Sequence, residues 1–133
     1  MRQQLKTMPP LVMVVDDDPA VCGSLKFSLE LEGFAVRTFA SGAEMLQNDN
    51  FGACKCFVID QRMPGMTGME LIAKLRDKQI LTPAILLISQ PNTALSARAA
   101  IAGIPIVEKP LLGNALLDRI REACARENRV ASS

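Results

Sequence analysis

Residues 11–19 read LVMVVDDDP: an apolar, β-branched run that ends on three consecutive carboxylates and a proline. Leu11 to Val15 reads as a short buried strand. Asp18 followed by Pro19 marks a helix start, because a side-chain acceptor at the cap precedes a residue whose φ is already helical. One strand therefore feeds one helix, with Asp16 and Asp17 held in the turn between them. Capping accounts for Asp18 and leaves the other two carboxylates without a structural reason.

The same alternation runs to the end of the chain. The first helix extends to about Glu32, with Val21, Leu25 and Leu29 at helical spacing and Gly33 as its stop. Phe34 to Phe39 reads as a second strand, and Ser41 caps a helix over Ala43 to Gln47. Cys56 to Ile59 is a continuous apolar stretch, as in strands covered on both faces, and it ends on Asp60. The loop QRMPGMTG leads into a helix from Met69 to about Lys78. Pro83 opens a strand, Ala84 to Ile88, that ends at Ser89. A helix over Asn92 to Ala102 precedes a short strand, Ile104 to Val107, with Lys109-Pro110 just beyond it. Asn114 to about Arg126 forms the last helix. Five rounds of strand then helix predict an α/β, three-layer, doubly wound fold: a five-stranded parallel sheet, right-handed crossovers and helices on both faces. Residues 1–10 read as an N-terminal extension, 11–126 as one domain and 127–133 as a C-terminal tail.

Composition removes several function classes. Among 133 residues, Lys and Arg number 15 and Asp and Glu 14, a net charge of +1, so there is no basic footprint for nucleic acid. The chain has no histidine, which excludes Ser-His-Asp and Cys-His catalysis and histidine-based zinc sites. Cys22, Cys54, Cys56 and Cys124 form no C-x-x-C clip and read as reduced, core or near-core thiols. Met63, Met66 and Met69 read as gap fillers. The first ten residues lack the apolar core of a signal peptide, and no apolar run approaches the roughly 18 residues of a membrane span. A cytoplasmic protein without membrane association is expected.

Ligands of open parallel sheets bind at the carboxyl ends of the strands. Asp16, Asp17, Asp60, Ser89 and Lys109 each follow an apolar strand, which places all five at that edge. Carboxylates converging there repel one another, and a hard divalent cation that prefers oxygen ligands, most naturally Mg²⁺, relieves the repulsion.

These residues resemble the receiver domain of bacterial two-component response regulators. The resemblance rests on VVDDDP after the first strand, on FVIDQRMPGMTG with its D-x-x-M-P-x-x-x-G pattern, on Ser89 after the fourth strand and on EKP at Glu108 to Pro110. It covers Leu11 to about Arg126. It implies the CheY-like, flavodoxin-like fold with strand order 2-1-3-4-5. It further implies Asp60 as phosphoacceptor, Mg²⁺ held by Asp17, Asp60 and the backbone carbonyl of Arg62, with Asp16 supporting the metal directly or through water, and Lys109 and Ser89 on the phosphoryl group. The implied partners are a sensor histidine kinase or phosphotransfer protein as donor, and a downstream protein target or a phosphorylation-dependent homodimer as output. Such a protein is a signalling phosphoacceptor rather than an enzyme.

Three positions depart from the family pattern. Ser89 lies one residue further from Pro83 than the usual hydroxyl, leaving Ile88 at the customary offset. Gln90 stands where a small residue is common, and Ile106 where many relatives carry an aromatic. Two rival readings follow. One is a phosphorylation-independent interaction module on the same fold. The other is a small phosphohydrolase of the haloacid dehalogenase type with Asp16 as nucleophile, a reading that leaves Asp60 without a role. No helix-turn-helix follows Arg126, so the chain reads as a single-domain regulator or an excised receiver, without direct nucleic-acid contact of its own.

Overall fold

A computed structural model of the chain describes residues 8–48, 50–111 and 113–132, with side chains to residue 126. Five strands and five helices alternate: β1 (Leu11–Val15), α1 (Pro19–Leu31), β2 (Ala35–Phe39), α2 (Gly42–Gln47), β3 (Cys54–Asp60), α3 (Gly68–Asp77), β4 (Ala84–Ile88), α4 (Thr93–Ile101), β5 (Ile106–Glu108) and α5 (Ala115–Ser132). The strands form one parallel sheet in the order β2-β1-β3-β4-β5, as the alternation and the resemblance predict.

Side chains alternate across each strand, so the sheet separates two apolar layers. Met13, Val15, Phe57, Ile59, Leu86 and Ile88 pack with Met45 of α2, Leu71 and Leu75 of α3 and Leu95 of α4. Val12, Val14, Val58, Ile85, Leu87 and Val107 pack with Leu25 and Leu29 of α1 and Leu116 and Ile120 of α5. Each fully buried Leu, Ile, Phe or Val contributes about 1.5–3 kcal/mol, enough to hold the strand ends in place. Met63 is buried, and Met66 and Met69 pack at the edge of the first layer, as gap fillers do. Cys54, Cys56 and Cys124 lie within the two layers and Cys22 is half-buried against the second.

Caps fall where the residue types demand them. Asp18 Oδ1 accepts from Ala20 N at 2.9 Å. Thr67 and Glu70 form a reciprocal capping box on α3. Gly33 adopts a φ of 98° just beyond α1, a conformation open to glycine at little cost.

Three elements differ from the sequence expectation. β3 begins at Cys54, because a register shift opposite Leu11 and Val12 lets Cys54 and Cys56 face opposite layers. β5 is Ile106–Glu108 rather than Ile104 to Val107: Ile104 N is bound to Ala99 O at 2.8 Å, closing α4, and Pro105 has no N–H to give a ladder. α5 runs to Ser132, through most of the expected tail, since neither glycine nor proline follows Arg126. Residues 1–7 of the expected extension lie outside the described residues.

Leu86 sits at the centre of the first layer with no exposed surface. Leu86→Ala is expected to lower unfolding stability by about 2–5 kcal/mol, measured as a reduced urea midpoint at unchanged slope.

Candidate functional site

Four strand ends bring the five predicted residues to one edge, and strand alternation decides which of them face each other. Val14, Val58, Leu87 and Val107 point into the α1/α5 layer. Two residues further along lie Asp16, Asp60 and Lys109, which meet on one face, and Ser89 follows β4 at the same offset. The pairing of Asp60 with Leu87 makes this explicit for β3 and β4. Ile88, at the family's customary offset, points the other way into the α2/α3/α4 layer and is buried there.

Asp16 is 1% exposed and Asp60 3% exposed, while Asp17 is exposed at the rim. One carboxylate oxygen from each of the three lies within 4.8 Å of the others. Lys109 Nζ bridges the buried pair, 3.0 Å from Asp16 Oδ2 and 3.3 Å from Asp60 Oδ1. Asp16 has both oxygens engaged, since Oδ1 accepts from Asp18 N at 2.9 Å. Its own N–H donates to Phe39 O, and Lys109 N donates to Ile88 O at 2.7 Å, so both residues are fixed by backbone as well as side chain.

The electrostatics follow from this crowding. Burial pushes the Asp60 carboxyl up, the neighbouring Asp16 pushes it further, Lys109 opposes the rise and Asp17 adds to it. Burial pulls the Lys109 ammonium down, but its hydrogen bond to Asp16 and the charges of Asp60 and Asp16 outweigh this and hold it above its ordinary value.

Ser89 lies just past β4, exposed, and lines a cavity with Gln61 and Arg62. Arg62 is exposed in the loop that follows Asp60. Two residues that position Asp60 had no role assigned from sequence. Gly68, at the first position of α3, packs so closely that a Cβ there would lie 2.6 Å from the Asp60 carbonyl oxygen and 2.7 Å from Leu86 Cδ1. Gln61 ties the loop to α3: its N–H donates to Leu87 O, its carbonyl accepts from Gly68 N, and its Oε1 accepts from Met69 N at 3.0 Å. The glycine of D-x-x-M-P-x-x-x-G carried the signal for Gly68; nothing in the sequence marked Gln61.

Residues 12–121 match the response regulator receiver domain, and the chain belongs to that family. It is 34% identical over 126 residues to the C4-dicarboxylate transport transcriptional regulatory protein DctR of Rhodobacter capsulatus, across 92% of this chain and 64% of that protein. It is 33% identical over 113 residues to the transcriptional regulatory protein FixJ of Rhizobium meliloti, across 84% of this chain and 55% of that protein. The chain thus spans less than two thirds of either regulator. Among solved structures, the response regulator StyR superposes with a TM-score of 0.86 at 32% identity, covering 93% of this chain and 63% of that one. FixJ-N superposes with a TM-score of 0.77 at 31% identity, covering 90% and 96%. Among the described residues, no helix is long and apolar enough to cross a membrane.

Gly68→Ala is expected to cost about 1–3 kcal/mol and to displace the Asp60 backbone, read as a lowered urea midpoint with amide shifts concentrated at Asp60 to Arg62. In chelating buffer, Lys109→Met is expected to raise the Asp60 carboxyl further and Asp16→Asn to lower it, read by carboxyl-carbon NMR titration. Because the folded value is already raised, the stability tied to Asp60 is full below the ordinary value of about 3.9 and is lost as pH rises through the folded value. Asp60→Asn should therefore gain stability over the parent above that window and lose the advantage in acid.

Proposed function

We propose that this domain receives a phosphoryl group on Asp60 from a phosphohistidine of a sensor histidine kinase or phosphotransfer protein. The observation that carries the reading is the asymmetry of the two buried carboxylates. Asp16 is held at both oxygens, whereas Asp60 is bound only at Oδ1 among the described residues. Asp60 Oδ2 is thus left to form the new bond to phosphorus as the phosphorus–nitrogen bond breaks, and the departing imidazole keeps the electron pair and takes a proton from solvent. Lys109 holds fixed positive charge beside both carboxylates, where negative charge accumulates during transfer. The Ser89 hydroxyl, which follows β4 two residues after Leu87, would donate to the bound phosphoryl group.

The donor set fits Mg²⁺: three clustered carboxylates share one ammonium, and burial together with the neighbouring Asp16 raises the Asp60 carboxyl. Asp17, Asp60 and the backbone carbonyl of Arg62 would hold the ion, with Asp16 in support. Bound there, Mg²⁺ neutralises phosphoryl oxygens during transfer. The modified Asp60 draws Ser89 and its loop toward it, altering a surface read by a downstream protein or a second copy of the chain. The commitment of both Asp16 oxygens, with family membership, weighs against a dehalogenase-type phosphohydrolase. Ile106, half-buried on β5 in place of the usual aromatic, favours as second reading a module that binds its target without phosphorylation.

Acetyl phosphate with Mg²⁺ is expected to add one phosphoryl group to the parent chain and to Asp16→Asn, the latter more slowly, and none to Asp60→Asn, as read by intact mass. A phosphoryl group on Asp16 would sink the assignment. Beryllium fluoride shifts confined to the acid cluster, absent from α4 and β5, would favour the phosphorylation-independent module. Mg²⁺ at a hundredfold excess over its dissociation constant should add about 2.7 kcal/mol of stability, an increment that Asp17→Asn should remove in thermal melts.

A further inference from the structure

A cavity of about 350 Å³ opens beside the phosphoacceptor loop, between the segment that follows β3 and the start of α4. Arg62 lines it from the loop and Arg98 from α4. Among the described residues neither guanidinium has an ion pair, and no carboxylate lines the cavity.

The remaining polar groups tilt the same way. Gln61 Oε1 accepts from Met69 N, Asn92 Oδ1 from Leu95 N at 3.0 Å, and Thr67 Oγ1 from Glu70 N at 3.2 Å. Local backbone thus consumes these three acceptors. Both amides keep their NH₂ groups, which are donors only, and the Thr67 hydroxyl keeps its proton. Two arginines without a carboxylate partner, with the amide donors of Gln61 and Asn92 and the adaptable Ser89 hydroxyl and Gln90 amide, suit a ligand rich in acceptor oxygens and negative charge. The volume falls within the roughly 300–1,000 Å³ of small-molecule sites.

We propose that this cavity is a receptor for a small oxyanion of the phosphate class, inorganic phosphate or a phosphate monoester, bound independently of any group on Asp60. Ser89 and Gln90 also line it, so its occupancy bears directly on the loop that carries the candidate hydroxyl.

The test is an amide NMR titration of the whole chain in Mg²⁺-free chelating buffer, at ionic strength held constant with sodium chloride, using inorganic phosphate in one arm and glycerol 3-phosphate in the other. Saturable shifts are expected at the amides of Gln61, Arg62, Ser89, Gln90 and Asn92, and at the side-chain Nε–H signals of Arg62 and Arg98. Tighter saturation by the ester identifies a metabolite site, and tighter saturation by the free ion a phosphate site. Arg62→Gln and Arg98→Gln should each weaken binding about tenfold or more, one charge-assisted contact being worth a factor of that size. Arg119→Gln, on the exposed face of α5, should change nothing. Asp60→Asn should keep the anion site while losing acyl phosphorylation, so failure of one reading leaves the other standing. Shifts that do not saturate, that chloride alone reproduces, or that survive loss of both arginines would overturn the proposal.

Discussion

The Lys109 ammonium, set between the carboxylates of Asp16 and Asp60, is the contact on which the rest of the site depends. Two nearly inaccessible negative charges at this separation cost several kcal/mol of lost hydration each, and their mutual repulsion adds to the cost. One lysine offsets part of this. The parallel sheet covers the remainder, because the strands ending at Asp16 and Asp60 are buried on both faces and cannot retreat without opening a core layer. The site is therefore a place where the fold holds charge under tension, a common condition of groups that react.

The alternation of apolar strands with capped helices was legible because each local signal agreed with the next: Asp18-Pro19 before α1, Gly33 after it, Ser41 before α2. Elements were misplaced where backbone chemistry outweighed side-chain pattern. Ile104 looks like the first residue of a strand, yet its N–H is spent on closing α4. Lys55 interrupts the apolar run before Cys56, and the register shift against β1 lets the strand begin before it, at Cys54. The end of α5 was drawn early because a polar run was read as a boundary although no helix-stopping residue stands there.

The site was legible in its charged members for a different reason. Asp16, Asp17, Asp60 and Lys109 sit at strand ends, and strand ends in a parallel sheet share an edge. Gln61 was not, because it acts through backbone hydrogen bonds that leave no periodic trace, and Gly68 showed only as the glycine of a motif, its packing role hidden because it lies in the absence of a side chain. The spacing from Pro83 left Ser89 and Ile88 in competition. The point at which β4 stops, and the layer into which Ile88 packs, show that Ile88 faces away from Asp60.

That alternation has a mechanical meaning. Ile88 is sunk among the side chains of α2, α3 and α4 while its carbonyl holds Lys109 N. It works as a fulcrum. In the proposed phosphotransfer, a swing of Ser89 would turn about a point anchored in the far layer, so that an event on the α1/α5 side of the sheet would be levered into the loop that starts α4, with the sheet as the beam.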